Sequence, residues 1–175
     1  MLIAIWKPLL VITAEANAHM THMLLDILTE VRKLVGERRL TVVFDRGAFS
    51  PRLFEQILAC GFDILTYRKG RVRRLPKSRF KARSAVIDAD TLDYVLADQE
   101  VRLLKGKLRL RQVTRLCDGG HQTPILTSRR DLDAVEIAYR MFERWRQENF
   151  FKYLREEYAI DALVDYGVVG AISYG

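Results

Sequence analysis

Two cysteines, four prolines and ten glycines among 175 residues leave several classes of protein without support. Cys60 and Cys117 lie far apart and neither belongs to a CxxC pair, so neither a zinc site nor a disulfide framework is signalled. Two partly buried free thiols in a reducing compartment fit that usage. No apolar run approaches the roughly 20 residues that a membrane-spanning helix needs. The most apolar stretch, MLIAIWKPLLVITAEA, carries Lys7 and Pro8 inside it. We read it as a lead-in followed by a strand, with a poorly formed signal peptide as the other reading. His19, His22 and His121 share no metal-ligand spacing and are read as surface or half-buried histidines. There is no internal repeat and no low-complexity tract.

What is present is an ordinary globular composition, 49% hydrophobic and 29% charged. A chain of this length has material for one domain with a substantial core. The net charge of +7 makes a polyanion the natural partner, because basic side chains gain affinity by releasing the counterions condensed on nucleic-acid phosphates. A membrane surface is the weaker reading, and no membrane partner is expected.

Periodicity organises the first third of the chain. LLVITAE, at 9–15, reads as a strand. The following segment repeats apolar residues at Met20, Met23, Leu24, Ile27, Val31 and Leu34, a helical spacing that Gly36 ends. LTVVFDRG reads as a buried strand running into a polar turn. SPRLFEQILACG has Ser50 as N-cap, Pro51 at the first helical position and Gly61 as stop. FDILTY supplies another strand. Strand, helix, strand, helix, strand predicts an α/β domain whose strands are largely parallel.

From Arg68 the texture changes. RKGRVRRLPKSRFKAR contains nine Lys or Arg and no acid, which reads either as a solvated loop or as a nucleic-acid-facing surface, with Tyr67 and Phe80 close by for base stacking. SAVIDADTLDYVL and QEVRLLKGKLRLRQVTRLC have strand composition, with a turn at Lys-Gly-Lys, and predict a small antiparallel β insertion. After the loop DGGHQ comes the strand TPILTS. Ser128 or Asp131 is then the expected cap of a long helix over about 132–158.

Two acids attract attention. Asp45 follows an apolar strand, at the sheet edge where open α/β proteins bind ligands, although Asp before Arg-Gly is also an ordinary turn former. Glu148 shares one helical face with Arg144 and Arg155, while Phe142, Trp145, Phe151 and Leu154 lie elsewhere around the cylinder. A solvated face with ordinary ion pairs is the simpler account of that helix, and periodicity alone does not bring Glu148 to Asp45.

Taken together, TVVFDRGAFSPRLFEQILACGFDILTYRKG, the basic β-rich insertion and YRMFERWRQENFFKYLREEYAIDALVDYG resemble bacterial insertion-sequence transposases of the DDE type, in the group with a Tyr-Arg-Glu-Lys signature. The resemblance spans about residues 9–167. It implies an RNase-H-like mixed sheet with flanking helices, a core at about 9–67 and 128–160, and the β insertion at about 68–127, all within one partial catalytic domain, 1–175. Asp45 matches the second acid, Glu148 the last and Arg144 the signature Arg. The signature Lys position holds Arg155, and the Tyr position holds Met141, with Tyr139 two residues earlier.

The resemblance further implies a two-ion Mg²⁺ site with Asp45 and Glu148 among its ligands, nicking and strand transfer at element ends, and a bacterial cytoplasmic, nucleoid-associated setting. Arg144, Lys152 and Arg155 on the helix, and Arg71, Arg73, Arg74 and Lys77 in the insertion, are the expected DNA contacts. Self-association is an open possibility. No residue matches the first acid: Asp26 falls mid-helix and Asp63 starts the wrong strand. The expectation is therefore a chain truncated at both ends and catalytically impaired, or a DNA-binding remnant without catalysis.

Overall fold

The structure, a computed structural model, describes residues 20–44 and 46–142. The expected strand at 9–15 and the expected helix beyond 142 lie outside the described residues. By contacts the chain divides into two units, Met1–Met141 and Phe142–Gly175, and every described strand belongs to the first.

The amphipathic segment forms α1, Met20–Val35, and Gly36 ends it with φ +60. β1, Thr41–Phe44, leads to a single 3-10 turn, Arg46–Ala48, and then to α2, Pro51–Ala59. The Ser50 Oγ accepts a hydrogen bond from the Leu53 amide, so the Ser-Pro start caps α2 as the sequence predicts. β2 is Asp63–Tyr67, and it pairs in parallel with β1 from Thr41↔Asp63 to Phe44↔Thr66.

The four remaining strands form a meander: β3, Lys81–Ile87; β4, Asp90–Leu103; β5, Leu108–Leu116; and β6, Gln122–Thr127. One six-stranded mixed sheet results, in the order β1-β2-β6-β5-β4-β3. The predicted insertion is thus neither small nor separate. It supplies four of the six strands, and β6 joins β2 antiparallel at Leu65↔Thr127. The expectation of largely parallel strands holds only for β1 and β2, because each connection within the meander is too short to be a crossover helix and returns the chain antiparallel.

The turn between β3 and β4 has no sequence signature. Asp88 and Ala89 occupy a two-residue loop with φ +52 and +70, a pair of conformations normally given to Asn-Gly or Asp-Gly. β4 also outruns its neighbour: Leu96–Leu103 pairs with β5, while Asp90–Leu96 pairs with β3. The β3–β4 hairpin therefore continues past the end of β5 as a two-stranded ribbon.

Both sheet faces are covered. On one, α1 and α2 pack Leu28, Leu53, Phe54 and Ile57 against Phe44, Ile64, Leu108, Leu110 and Leu126. Phe54 meets Phe44 and Phe49 at ring-centroid distances of 5.5 and 5.2 Å. The other face buries Leu65, Leu96, Val113 and Ile125. α3, helical over 134–142 of the described chain, buries Ala134, Val135, Ile137, Ala138 and Met141. Its cap is neither Ser128 nor Asp131. Asp133 accepts from the Val135 amide at 2.7 Å, while Ser128 bonds the Ile64 amide and Asp131 pairs with Arg129. Each of the two expected caps already has a stronger partner.

Candidate nucleic-acid interface

Because β1 and β2 are parallel, their carboxyl ends share one end of the sheet, and the register puts the start of β6, the end of β5 and the start of β3 there too. β1 ends at Phe44, immediately before Asp45, which itself lies outside the described residues. Arg46 stands over the Tyr67 ring, 5.5 Å from its centroid.

The basic run Arg68–Arg83 begins at this end and is held there like a strap, at three places. The Arg68 guanidinium donates to Gln112 Oε1, and the Arg68 amide bonds the Pro124 carbonyl at 2.9 Å. Gln122 clamps Leu75 from both sides, its Oε1 accepting from the Leu75 amide at 2.9 Å and its Nε2 donating to the Leu75 carbonyl at 2.8 Å. Arg74 donates to the Gly120 carbonyl at 2.6 Å. A small cavity of about 60 Å³ remains beneath, lined by Val72, Leu75, Gln112, Thr114 and Pro124 among others. Partial burial pushes the Arg68 guanidinium below its ordinary pKa.

Arg71, Arg73, Arg74, Lys77, Arg79 and Lys81 are exposed. Among the described residues, no carboxylate forms an ion pair with any of the nine cations of this run. On the same rim Arg115 lies over the Tyr94 ring at 5.0 Å, and Arg83, opposite Tyr94 in register, buries its Nε without a hydrogen-bond partner.

The opposite end of the sheet is electrostatically different. There Asp63 takes Arg39 at 2.7 Å and Ser128 at 2.6 Å, and Asp131 takes Arg129 at 2.8 Å and Arg39 at 3.3 Å. The hydrogen bond from Arg129 holds the Asp131 carboxyl well below the usual carboxylate range. Hydrogen bonds to Asp63 and to Asp131 raise the Arg39 and Arg129 guanidinium groups respectively. Glu100 pairs with Arg130 at 2.9 Å, and that hydrogen bond lowers its carboxyl too. Arg39, Arg129 and Arg130 are thus neutralised by carboxylates. The cations of the strap have no such carboxylate among the described residues.

Of the residues expected to act, Arg71, Arg73, Arg74 and Lys77 are brought together on the strap. Asp45, Arg144, Glu148, Lys152 and Arg155 lie outside the described residues. Met141, at the signature Tyr position, is fully buried and faces core rather than solvent. Tyr139 donates to Asp88 at 3.1 Å. Asp63 is engaged with Arg39 at the start of β2, the end of the sheet away from Asp45, and Asp26 is exposed on α1. Among the described residues no group of three His, Cys, Asp or Glu could hold a metal ion. Sequence reasoning missed Gln112 and Gln122, whose role depends on a fold contact 44 or 47 residues away and leaves no local signature.

A family model described as transposase protein matches residues 25–174. The chain belongs to that transposase family. The match takes in α1 from residue 25, all of α2, every described strand and the basic strap, and it supports a role in transposition. No curated protein matches the chain. No helix among the described residues of this transposase is long and apolar enough to cross a membrane.

Proposed function

We propose that the chain is part of an RNase-H-like DDE transposase catalytic domain that engages DNA at the sheet end where β1 runs into Asp45. The observation that carries this reading is the exposed strap itself: Arg71, Arg73, Arg74 and Lys77 crowd one end of the sheet and make no ion pair with a described carboxylate, whereas Arg39, Arg129 and Arg130 at the other end each have one. An exposed cation run without carboxylate partners is what counterion release rewards. In this reading Arg71, Arg73, Arg74 and Lys77 contact phosphates, together with Arg144, Lys152 and Arg155 from the segment beyond residue 142.

Asp45 and Glu148 are hard oxygen donors of the kind Mg²⁺ takes. When bound, paired Mg²⁺ ions would activate the attacking oxygen and stabilise the leaving one in phosphoryl transfer. The residues fit in type but fall short in number, because this sequence offers no match for the first acid. The chain's own contribution is therefore to hold DNA and supply two carboxylates. Nicking by this chain alone is impaired.

The test is equilibrium binding of an end-containing duplex between about 50 and 200 mM salt, a window over which six to ten phosphate contacts cost roughly 10³ to 10⁵ in affinity. Replacing Arg71, Arg73, Arg74 and Lys77 with serine should reduce the slope of log K against log salt by about 3 to 4. An unchanged slope sinks the interface. Mg²⁺-dependent nicking that disappears in both Asp45→Ala and Glu148→Ala would refute the impairment. Binding that ignores both acid substitutions, without nicking, favours the second reading, a DNA-binding remnant without catalysis, which the lack of a third acid also supports.

A further inference from the structure

β3 is the outer strand of the sheet, and among the described residues nothing pairs with its free edge. The hairpin closes on Ile87↔Asp90 through a two-residue loop, so Ile87, Ala85, Arg83 and Lys81 exchange hydrogen bonds with β4. Ala82, Ser84 and Val86 then direct their amides and carbonyls outward. An exposed edge of this kind is a template for another strand. Several of the usual protections are missing: no proline lies within KARSAVI, its length is seven residues, and Val86 is 71% exposed.

The charge pattern along the ribbon selects the partner. Its base carries Lys77, Arg79, Lys81 and Arg83, whereas its tip carries Asp88 and Asp90, with Asp93 close behind. A two-stranded ribbon has the width to enter a DNA major groove, but three carboxylates at and near the leading end would be repelled by phosphate. A strand with an acidic end and a basic end suits one of the opposite polarity, which a second copy of the same strand supplies when it runs antiparallel.

The geometry points to a two-fold dimer in which β3 pairs with β3 of a second copy, centred on Ser84. That register pairs all seven residues of the strand, with Lys81 opposite Ile87, Ala82 opposite Val86 and Arg83 opposite Ala85. Each acidic tip meets the basic base of the other copy, placing Asp88, just past the end of β3, nearest the Lys77–Arg79 turn. A shift that centred the pairing on Arg83 would oppose like charges directly, which is destabilising. The contact is isologous, as a two-fold requires, and would join two six-stranded sheets into one. It goes beyond the DNA reading and does not depend on it.

The chain, with Cys60 and Cys117 replaced by serine, is subjected to analytical ultracentrifugation and to oxidative cross-linking. Unaltered edge residues should give a concentration-dependent dimer, weak enough to dissociate on dilution because one strand pair is a small interface. Ser84→Cys should cross-link to a dimer on a non-reducing gel, and Thr91→Cys, on the inner strand of the same hairpin, should not. Asp88→Lys should shift the dimerisation constant at least tenfold toward monomer, and Asp88→Lys combined with Arg79→Glu should restore it. Each single variant is checked by circular dichroism, so that a loss of fold is told apart from a loss of pairing. A chain that stays monomeric at all concentrations overturns the proposal. So does a dimer in which Ser84→Cys fails to cross-link or the charge swap fails to restore association.

Discussion

Arg111 is the side chain on which the junction between sheet and α3 depends. Its Nε and Nη2 meet Asp98 at 3.0 and 2.7 Å, and its Nη1 donates to the Leu132 carbonyl at 2.6 Å, just ahead of the helix. The two side chains are 17% and 21% exposed. At an effective dielectric of about 20, charges some 4 Å apart attract by about 4 kcal/mol, most of which offsets desolvation. Removing one partner leaves the desolvation cost standing. Asp98→Ala should therefore cost about 2 to 4 kcal/mol, less than the about 3 to 5 kcal/mol of a fully buried pair. Asp98→Asn keeps an acceptor and should cost about 1 to 2 kcal/mol. Arg111→Met should lose as much as Asp98→Ala, since it also strands the Leu132 carbonyl. The double variant Asp98→Leu, Arg111→Met should recover about 1 to 3 kcal/mol relative to additivity. Urea denaturation followed by circular dichroism reads all four values. A cost below about 0.5 kcal/mol for Asp98→Ala would mean that the pair is solvated like a surface ion pair, and the reasoning would fail.

Three further outcomes are expected. Gln122→Ala removes both clamp bonds to Leu75 and should cost about 1 to 3 kcal/mol, with faster hydrogen exchange at the Leu75 amide; unaltered exchange would show the strap is held elsewhere. Ile57, fully buried between α2 and the sheet, should lose about 2 to 5 kcal/mol as Ile57→Ala but only about 0.5 to 1.5 kcal/mol as Ile57→Val, measured by chemical denaturation. Because the folded-state values of Asp131 and Glu100 are depressed, their contribution to stability is complete above the ordinary carboxylate range. It is lost as pH falls below about 4 toward the folded values. Asp131→Asn should flatten the acid limb of the stability profile, and an unchanged limb would rule that contribution out.

The legible parts of the fold were those with local causes. Ser50, Pro51 and Gly61 bounded α2, and the spacing of Leu24, Ile27 and Val31 marked α1. LRLRQV forms a strand, as its composition indicated, with Leu108 and Leu110 buried, but Gln112 and Val113 are buried too, so neither face of its second half is wet. What was not legible depended on distant partners. Ser128 and Asp131 are good caps in isolation, but Ile64 and Arg129 claim them, and Asp133 takes their place. The Asp88–Ala89 turn hid because alanine is a poor guide to positive φ. The fusion of the insertion into the main sheet rests on β6 pairing with β2 across some sixty residues of sequence, as at Leu65↔Thr127. At the candidate interface, composition alone revealed the cation run, whereas its lack of ion pairs with the described carboxylates became visible only in three dimensions.

The Gln122 clamp also bears on how binding would be driven thermodynamically. Tied near its start and again at Arg74 and Leu75, the strap has given up much of its backbone freedom during folding, before any ligand arrives. Segments that order on contact carry a cost of about 2 to 5 kcal/mol and a large negative heat-capacity change. A preorganised strap avoids most of both. Calorimetry of DNA binding should then return a small heat-capacity change, and loosening the clamp should enlarge it while leaving the number of released counterions the same.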